Sequence, residues 1–503
     1  MSNPYQIIIG LEVHVQLATE SKLFCRCATT FGAEPNTQTC PLCIGMPGTL
    51  PVMNRRAFEL SLRTAVALNC DIPRFTKWDR KQYHYPDLPK GYQISQFDLP
   101  MSSGGYLEIR DPQGQFETKR VGIIRAHLEE DAGKSTHDEK TGKADSRIDL
   151  NRTGTPLLEI VSEPDLRSPE EAKVYLTELK LLLTYLGVSD CNMQEGSLRV
   201  DANVNLHIDT PEGTIATPIV EVKNMNSFRA VERALAYDAK RQYDEWQQTG
   251  QKLGDVPKQT RGWDDEAGVS RPQRSKEESS DYRYLPDPDL LPVTVTENEV
   301  EDVRASLGEL PAALRERLIT DFGLSPYNAG VLVNQGRELI DYYLTVAKVS
   351  GDAKTACNWV TQDVLRVLRK RDYTILQFVE KTGIDADWLA ALIENVRNKK
   401  LTKDQAQQAF DAMTGHVVVS VVQPLGLKDS VEVVIEKLGL KQVDETELLA
   451  LCQELLDKNP KIVSDLRGGK HQAVGALIGQ AKQRNANVDP GRVREICLNL
   501  IQQ

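Results

Sequence analysis

Cys25 and Cys27, followed by Cys40 and Cys43, place two close thiol pairs twelve residues apart. That is the spacing of a tetrahedral four-thiolate zinc site, in which each pair grips the ion and the intervening loop lets the pairs meet. Four sulfur ligands leave no open position, so the ion would be structural, pinning a loop with little regular structure of its own. The competing reading is two unrelated pairs of free thiols. The other five cysteines, Cys70, Cys191, Cys357, Cys452 and Cys497, are scattered through apolar or helical contexts and read as small buried hydrophobes. An odd count in a long chain does not suggest a disulfide framework.

Carboxylates and imidazoles form a second group. Glu12 and His14 stand two apart in an alternating strand, so they point the same way, as half of a metal site would require. His127, Glu129, Glu130 and Asp131 follow one another at the end of another strand. Glu159 and Asp201 lie in apolar strand-like contexts, where an unpaired carboxylate is costly. Singly, each also reads as an exposed strand face or a solvated turn. Together they suggest a carboxylate-lined cavity, and Mg²⁺ is the matching hard cation.

Cations with a candidate role come next. Asp131-Ala-Gly-Lys-Ser135 imitates the end of a phosphate-binding loop. The position where the full pattern needs its first glycine is Leu128, so the sequence argues against a P-loop enzyme. Gly133, Lys134 and Ser135 could still offer N–H groups and a charge to phosphate oxygens. The stretch from Asp79 to Gln96, with Lys81 and Lys90, mixes aromatics, cations and prolines without periodicity, as site-lining segments do.

Elements must hold these residues in place. Leu11, Val13, Val15 and Leu17 alternate with Glu12, His14 and Gln16. Gly105–Asp111 and Phe116–His127 flank a Pro112-Gln113-Gly114 hairpin signal. Leu157–Val161, Val200–Ile208 and Ile219–Lys223 are further strands, the last with Glu221 and Lys223 on a common face. Ser168-Pro-Glu-Glu171 starts a helix that Gly187 ends, and a second runs from Ser227 to about Thr249 before Gly250. The fold class is therefore α+β: an N-terminal, mostly antiparallel sheet domain with helices on one side, over 1–293. Beyond the proline-rich Leu285–Pro292 stretch the chain reads as helical, an all-helical domain over 294–400 and a small helical tail over 401–503.

The chain carries a net charge of −11, which argues against indiscriminate nucleic-acid binding but leaves room for local basic surfaces. One such cluster is Arg397, Lys399, Lys400 and Lys403. No apolar run approaches a membrane span, and the first residues lack a basic leader, so a cytoplasmic protein is expected.

The motifs now have a counterpart. Ile9-Gly-Leu-Glu-Val-His14, Asp79-Arg-Lys-Gln-Tyr83, Tyr92-Gln-Ile-Ser-Gln96, His127 through Ser135, Asp149 through Pro156, Glu159 through Pro164, Glu195 through Asn203, Glu221 through Asn226 and Asp281-Tyr-Arg-Tyr284 follow one another in order. They resemble, over essentially the whole chain, the signatures of the B-type subunit of aspartyl/glutamyl-tRNA amidotransferase, its kinase and transamidase component. The resemblance implies a heterotrimer with an amidase-like A-type partner and a small C-type partner. The amidase-like partner would release ammonia from glutamine, and an intersubunit channel would deliver it here. ATP would phosphorylate the side-chain carboxylate of Glu on mischarged tRNA(Gln) or Asp on mischarged tRNA(Asn). Ammonia would then displace phosphate. The resemblance places Mg²⁺ or ATP contacts on Glu12, His14, Glu130, Glu159 and Asp201, with Glu129, Lys134 and Ser135 beside them. Lys81, Lys90 and Lys134 become candidates to stabilise phosphate or acyl-phosphate charge. A structural Zn²⁺ is expected on the four cysteines. The C-terminal part resembles the family's helical and tRNA-binding tail domains, with Arg397, Lys399, Lys400, Lys470 and Lys482 as tRNA contacts.

The runner-up is a non-catalytic, zinc-pinned tRNA-binding scaffold that would not use the carboxylates. A synthetase-like enzyme lacks its His-Ile-Gly-His and Lys-Met-Ser-Lys-Ser elements. A glutaminase lacks a nucleophile paired with a base, consistent with a separate partner performing that step.

Overall fold

A computed structural model describes the chain except residues 1–3, 112–113, 138–145, 274–281, 416–424, 441–442, 469–470, 486 and 503. The chain divides into two compact units, residues 1–313 and 314–503.

The first unit is built on one nine-stranded sheet. Its strands are β1 (Gln6–Gln16), β2 (Tyr106–Ile109), β3 (Lys119–Glu130), β4 (Pro156–Ser162), β5 (Leu198–Thr210), β6 (Gly213–Ala216), β7 (Val220–Lys223), β8 (Gln259–Asp264) and β9 (Val269–Pro272). In space the order is β9-β8-β7-β5-β1-β4-β3-β2, with β6 paired to β5. Every pairing is antiparallel except β7 with β8. The expected strands and the α+β class are therefore present.

Period-two alternation gives the sheet two unlike faces. Leu11, Val13 and Val15, with Val200, Ala202 and Val204 of β5 and Leu158 and Ile160 of β4, form the apolar face and are all buried. Helices α1 (Arg55–Ala67), α2 (Pro169–Tyr185) and α3 (Phe228–Thr249) contribute to this core. Ser168 accepts from the Glu171 N–H and Pro169 opens α2. Ser227 caps α3, and Gly250 ends it at φ 65°, a left-handed conformation that costs glycine little. Leu11 sits on the central strand with 1% of its surface exposed. Leu11→Ala should cost about 2–5 kcal/mol, seen as a lower denaturation midpoint of the first unit.

The second unit is helical throughout its described residues. Arg337–Ser350 packs on Ala386–Arg397. The helices Glu445–Lys458, Pro460–Arg467, Val474–Arg484 and Pro490–Gln502 enclose a separate core containing Leu448, Cys452, Leu477, Val493 and Cys497. All five scattered cysteines are buried, as expected for small core residues. No helix among the described residues is long and apolar enough to cross a membrane.

Candidate active site

The second face of the sheet is polar, and strand register decides who meets on it. Glu12 lies opposite Asp201, and His14 lies between Arg199 of β5 and Glu159 of β4. Glu159 in turn faces His127 of β3, and Glu129 follows two residues later on the same side. Four strands thus deliver carboxylates and imidazoles to one place. Glu12, His14 and Asp201 form one set whose ligating atoms lie within 4.8 Å of one another; His14, Glu129 and Glu159 form a second. His14 is common to both.

The electrostatics follow from that crowding. His14 Nδ1 is 3.4 Å from Glu129 Oε1, near enough for charge attraction but without a hydrogen bond. His127 Nε2 is 3.2 Å from Glu159 Oε2. Burial opposes charging of His14, yet Glu159, Glu129 and Asp201 outweigh it and raise its pKa to about 9. Burial likewise works against ionised Glu159, but the His127 and His14 imidazoles, helped by Lys81, hold its carboxyl well below the usual range. Asn203 Nδ2 donates to Glu12 Oε1 at 2.8 Å, while Lys223 Nζ pairs with Asp201 and lies 3.3 Å from Glu221.

A divalent cation fits these residues. The donors are carboxylate oxygens plus a histidine nitrogen that is buried and lacks a hydrogen-bond partner. Hard cations select such oxygen-rich sets, and outer donors such as Asn203 and Lys223 orient the ligands.

Glu130 does not join this group. Alternation turns it to the opposite side of β3 from Glu129. There it pairs with Lys90, accepts from the Ile94 N–H at 3.0 Å, and is buried with its partner. Removing one partner of a buried ion pair leaves an uncompensated charge, so Glu130→Ala or Lys90→Ala should each destabilise the first unit by about 3–5 kcal/mol. Glu129→Gln should leave the thermal midpoint near that of the unaltered protein. Calorimetry on this series separates the two neighbouring glutamates.

Lys81 stands in the strand Asp79–Gln82, with Nζ 4.6 Å from the Tyr282 ring centre and 5.7 Å from that of Tyr83. It reaches the pocket through its effect on Glu159. Lys134 and Ser135 lie in a hairpin of Lys134–His137 with Ser146–Asp149; Lys134 is exposed. Asp131 faces the pocket's other margin, where Arg199 bonds it and Gln16 donates to it at 2.8 Å.

The four cysteines converge. Cys43 Sγ lies 3.7 Å from Cys25 Sγ, 3.7 Å from Cys40 Sγ and 3.9 Å from Cys27 Sγ. A tetrahedral zinc with bonds of about 2.3 Å demands sulfur separations of about 3.8 Å. The residues therefore fit zinc. Lys22, which is fully buried, adds an ammonium 3.4 Å from Cys43 Sγ. Hydrogen bonding from Cys25, together with the Cys40 backbone and the Lys22 charge, overcomes burial and lowers the Cys43 thiol to about 4. The cysteine loop also approaches the Glu130 pair: a side chain on Gly45 would come within 3.0 Å of the Lys90 backbone.

In the second unit, Lys399 and Lys400 are exposed, whereas Arg397 bonds the Ser350 carbonyl and Lys482 pairs with Asp404 at 3.0 Å. Lys470 lies outside the described residues. Sequence reasoning misses Lys22, Asn203 and Lys223 as site residues. Of these, Asn203 and Lys223 carry a signal in the sequence, their shared parity with Asp201 and Glu221.

Residues 7–301 match the family model described as the GatB/GatE catalytic domain, and residues 341–501 match the GatB domain. The chain is 57% identical, over 498 residues, to the B-type subunit of aspartyl/glutamyl-tRNA(Asn/Gln) amidotransferase from Rhodopirellula baltica, covering 99% of this chain and 97% of that protein. It is 44% identical to the protein of the same name from Caldanaerobacter subterraneus, covering 97% of each chain. It is 45% identical to that of Moorella thermoacetica, covering 98% of each.

Proposed function

Because the chain belongs to the family of B-type subunits of the aspartyl/glutamyl-tRNA(Asn/Gln) amidotransferases, we propose that the polar face of its sheet activates and amidates the side-chain carboxylate of Glu on mischarged tRNA(Gln) or Asp on mischarged tRNA(Asn). The observation that carries this reading is the convergence of Glu12, His14, Glu129, Glu159 and Asp201 from four strands. A free carboxylate is a poor acyl donor. Phosphoryl transfer from ATP makes one of its oxygens a leaving group, and ammonia then attacks the carbonyl carbon and releases phosphate.

Glu12, His14 and Asp201, or His14, Glu129 and Glu159, would hold Mg²⁺, which when bound neutralises charge on the transferred phosphoryl group. The residues around them have their own tasks. Asn203 fixes the Glu12 carboxylate, Lys223 offsets Asp201, and His127 anchors Glu159. Lys81, held over the Tyr282 ring, brings a cation with no carboxylate partner among the described residues. Tyr282 and Tyr284 give this margin an aromatic wall. The zinc centre supports the Lys90 segment and takes no part in the chemistry. The partners are an amidase-like A-type protein that supplies ammonia through an intersubunit channel and a small C-type protein, and the heterotrimer works in the cytoplasm. Residues 294–400 form a helical domain whose exposed Lys399 and Lys400 meet tRNA together with the tail over 401–503.

The test uses the purified complex with Glu-tRNA(Gln) or Asp-tRNA(Asn), ATP, Mg²⁺ and glutamine or ammonia. Hydrolysing the product and identifying the released amino acid should reveal glutamine or asparagine, and neither without ATP. An active glutaminase partner with no amide on either tRNA would overturn the reading.

A further inference from the structure

Arg125 is a cation on this face that the chemistry above leaves without a task. It follows a β-bulge: Ile123 pairs with Ser162 and Arg125 with Val161, so Ile124 is an extra residue in β3. Before the bulge the buried apolar positions are Val121 and Ile123; after it they are Ala126 and Leu128. The inserted residue thus reverses the parity of the strand and turns Arg125 to the same side as His127 and Glu129. Bulges of this kind re-aim side chains beside functional sites.

Several neighbouring cations are neutralised: Arg199 and Arg152 have Asp131, and Lys223 has Asp201 and Glu221. The Arg125 side chain makes no hydrogen bond or ion pair among the described residues, and its Nε is buried without a partner. The residue is half-buried, so its guanidinium stands at the margin of the face with donors left for another group. Its charge is felt at the Tyr284 hydroxyl, which also feels Glu129 and Glu159. Tyr284 stacks on Phe97 at 4.1 Å, so this side of the pocket has a fixed wall. Arg125's chain neighbour Ile124 lines, with Gly10 and Val161, a cavity of about 290 Å³ beside Glu12.

We propose that Arg125 is an oxyanion anchor of this site, binding through its planar fork a phosphate or carboxylate group of a substrate. Guanidinium suits this because it presents paired N–H donors to two oxygens at once and stays charged. The oxyanion has two sources under the function proposed above, on which this inference rests: the terminal phosphate of ATP, or the side-chain carboxylate of the aminoacyl group.

The experiment compares Arg125→Ala, Arg125→Gln and Arg125→Lys in the full complex, with kcat and KM measured separately for ATP and for aminoacyl-tRNA. Arg125→Ala should lower amidation about 10²-fold, the scale of one preorganised charge. Guanidinium ion added to the assay should restore part of it, and Arg125→Lys should recover little because it lacks the fork. A raised KM for ATP identifies the phosphate as the ligand; a raised KM for aminoacyl-tRNA identifies the carboxylate. Glutaminase activity and thermal midpoint should stay as in the unaltered complex. Full amidation by Arg125→Ala overturns the inference. So does a loss in all three variants that guanidinium does not relieve and that tracks a lowered midpoint, since Arg125 would then be structural. Failure of the functional reading is distinct, because the unaltered complex itself would then form no amide.

Discussion

His14→Ala in the assembled enzyme should lower ATP-dependent amidation by about 10²- to 10³-fold, the loss seen when one preorganised electrostatic group is removed, while tRNA affinity stays unchanged. The reason lies in its place. His14 is the member shared by both donor sets, so its removal degrades each of them, whereas loss of Asp201 or Glu129 degrades only one. Burial argues against a mere loss of folding, because His14 retains partial exposure on the polar face and contributes nothing to the apolar one. Glu12→Gln should follow in the same direction, since Asn203 can still bond the amide oxygen while the negative charge is gone. Steady-state amidation, filter binding of tRNA and the partner's glutaminase rate form the three readouts. Undiminished amidation in both variants would leave the convergence of carboxylates without a chemical purpose and favour a scaffold that only binds tRNA.

Cys43→Ser should abolish binding of a single equivalent of zinc and open the loop to proteases. Cys43 lies within 3.9 Å of all three other sulfurs and also receives Lys22. Structural zinc in small domains supplies about 10–16 kcal/mol of apparent binding free energy at neutral pH. The loop between Cys27 and Cys40 has only short turns of its own. Without the ion, Lys22 would remain buried beside fewer thiolates, adding an uncompensated charge to the loss. The effect should spread to Lys90, on which Gly45 rests, and so lower the thermal midpoint of the whole first unit. Metal analysis, limited proteolysis and calorimetry would check this. Unchanged zinc content in Cys43→Ser, or a metal-free wild type with an intact loop, would remove the case for a structural ion.

Both expectations draw on features of unequal legibility. Residues close in the chain speak for themselves. Cys25 with Cys27 and Cys40 with Cys43 are pairs because short spacing leaves them no alternative but to stay near one another. Ser168 and Ser227 announce helix starts because a side-chain oxygen there meets free N–H groups within three residues. Glu12 and His14 share a side of β1 because successive residues of a strand must alternate. Such constraints act over a few residues and need no knowledge of the rest of the molecule.

What stands beside what across the sheet is a different matter. Glu159 meets His14 only because β4, formed far along the chain, inserts between β1 and β3. Glu129 and Glu130 look alike in sequence, and parity within one strand sends the first to the pocket and the second to Lys90. The extra residue at Ile124 sets that parity, and its energetic preference arises from burying Val121, Ile123, Ala126 and Leu128 together against helices. Long-range pairing and the demand that apolar side chains share one face therefore choose the active-site members, while local chemistry had already supplied the candidates.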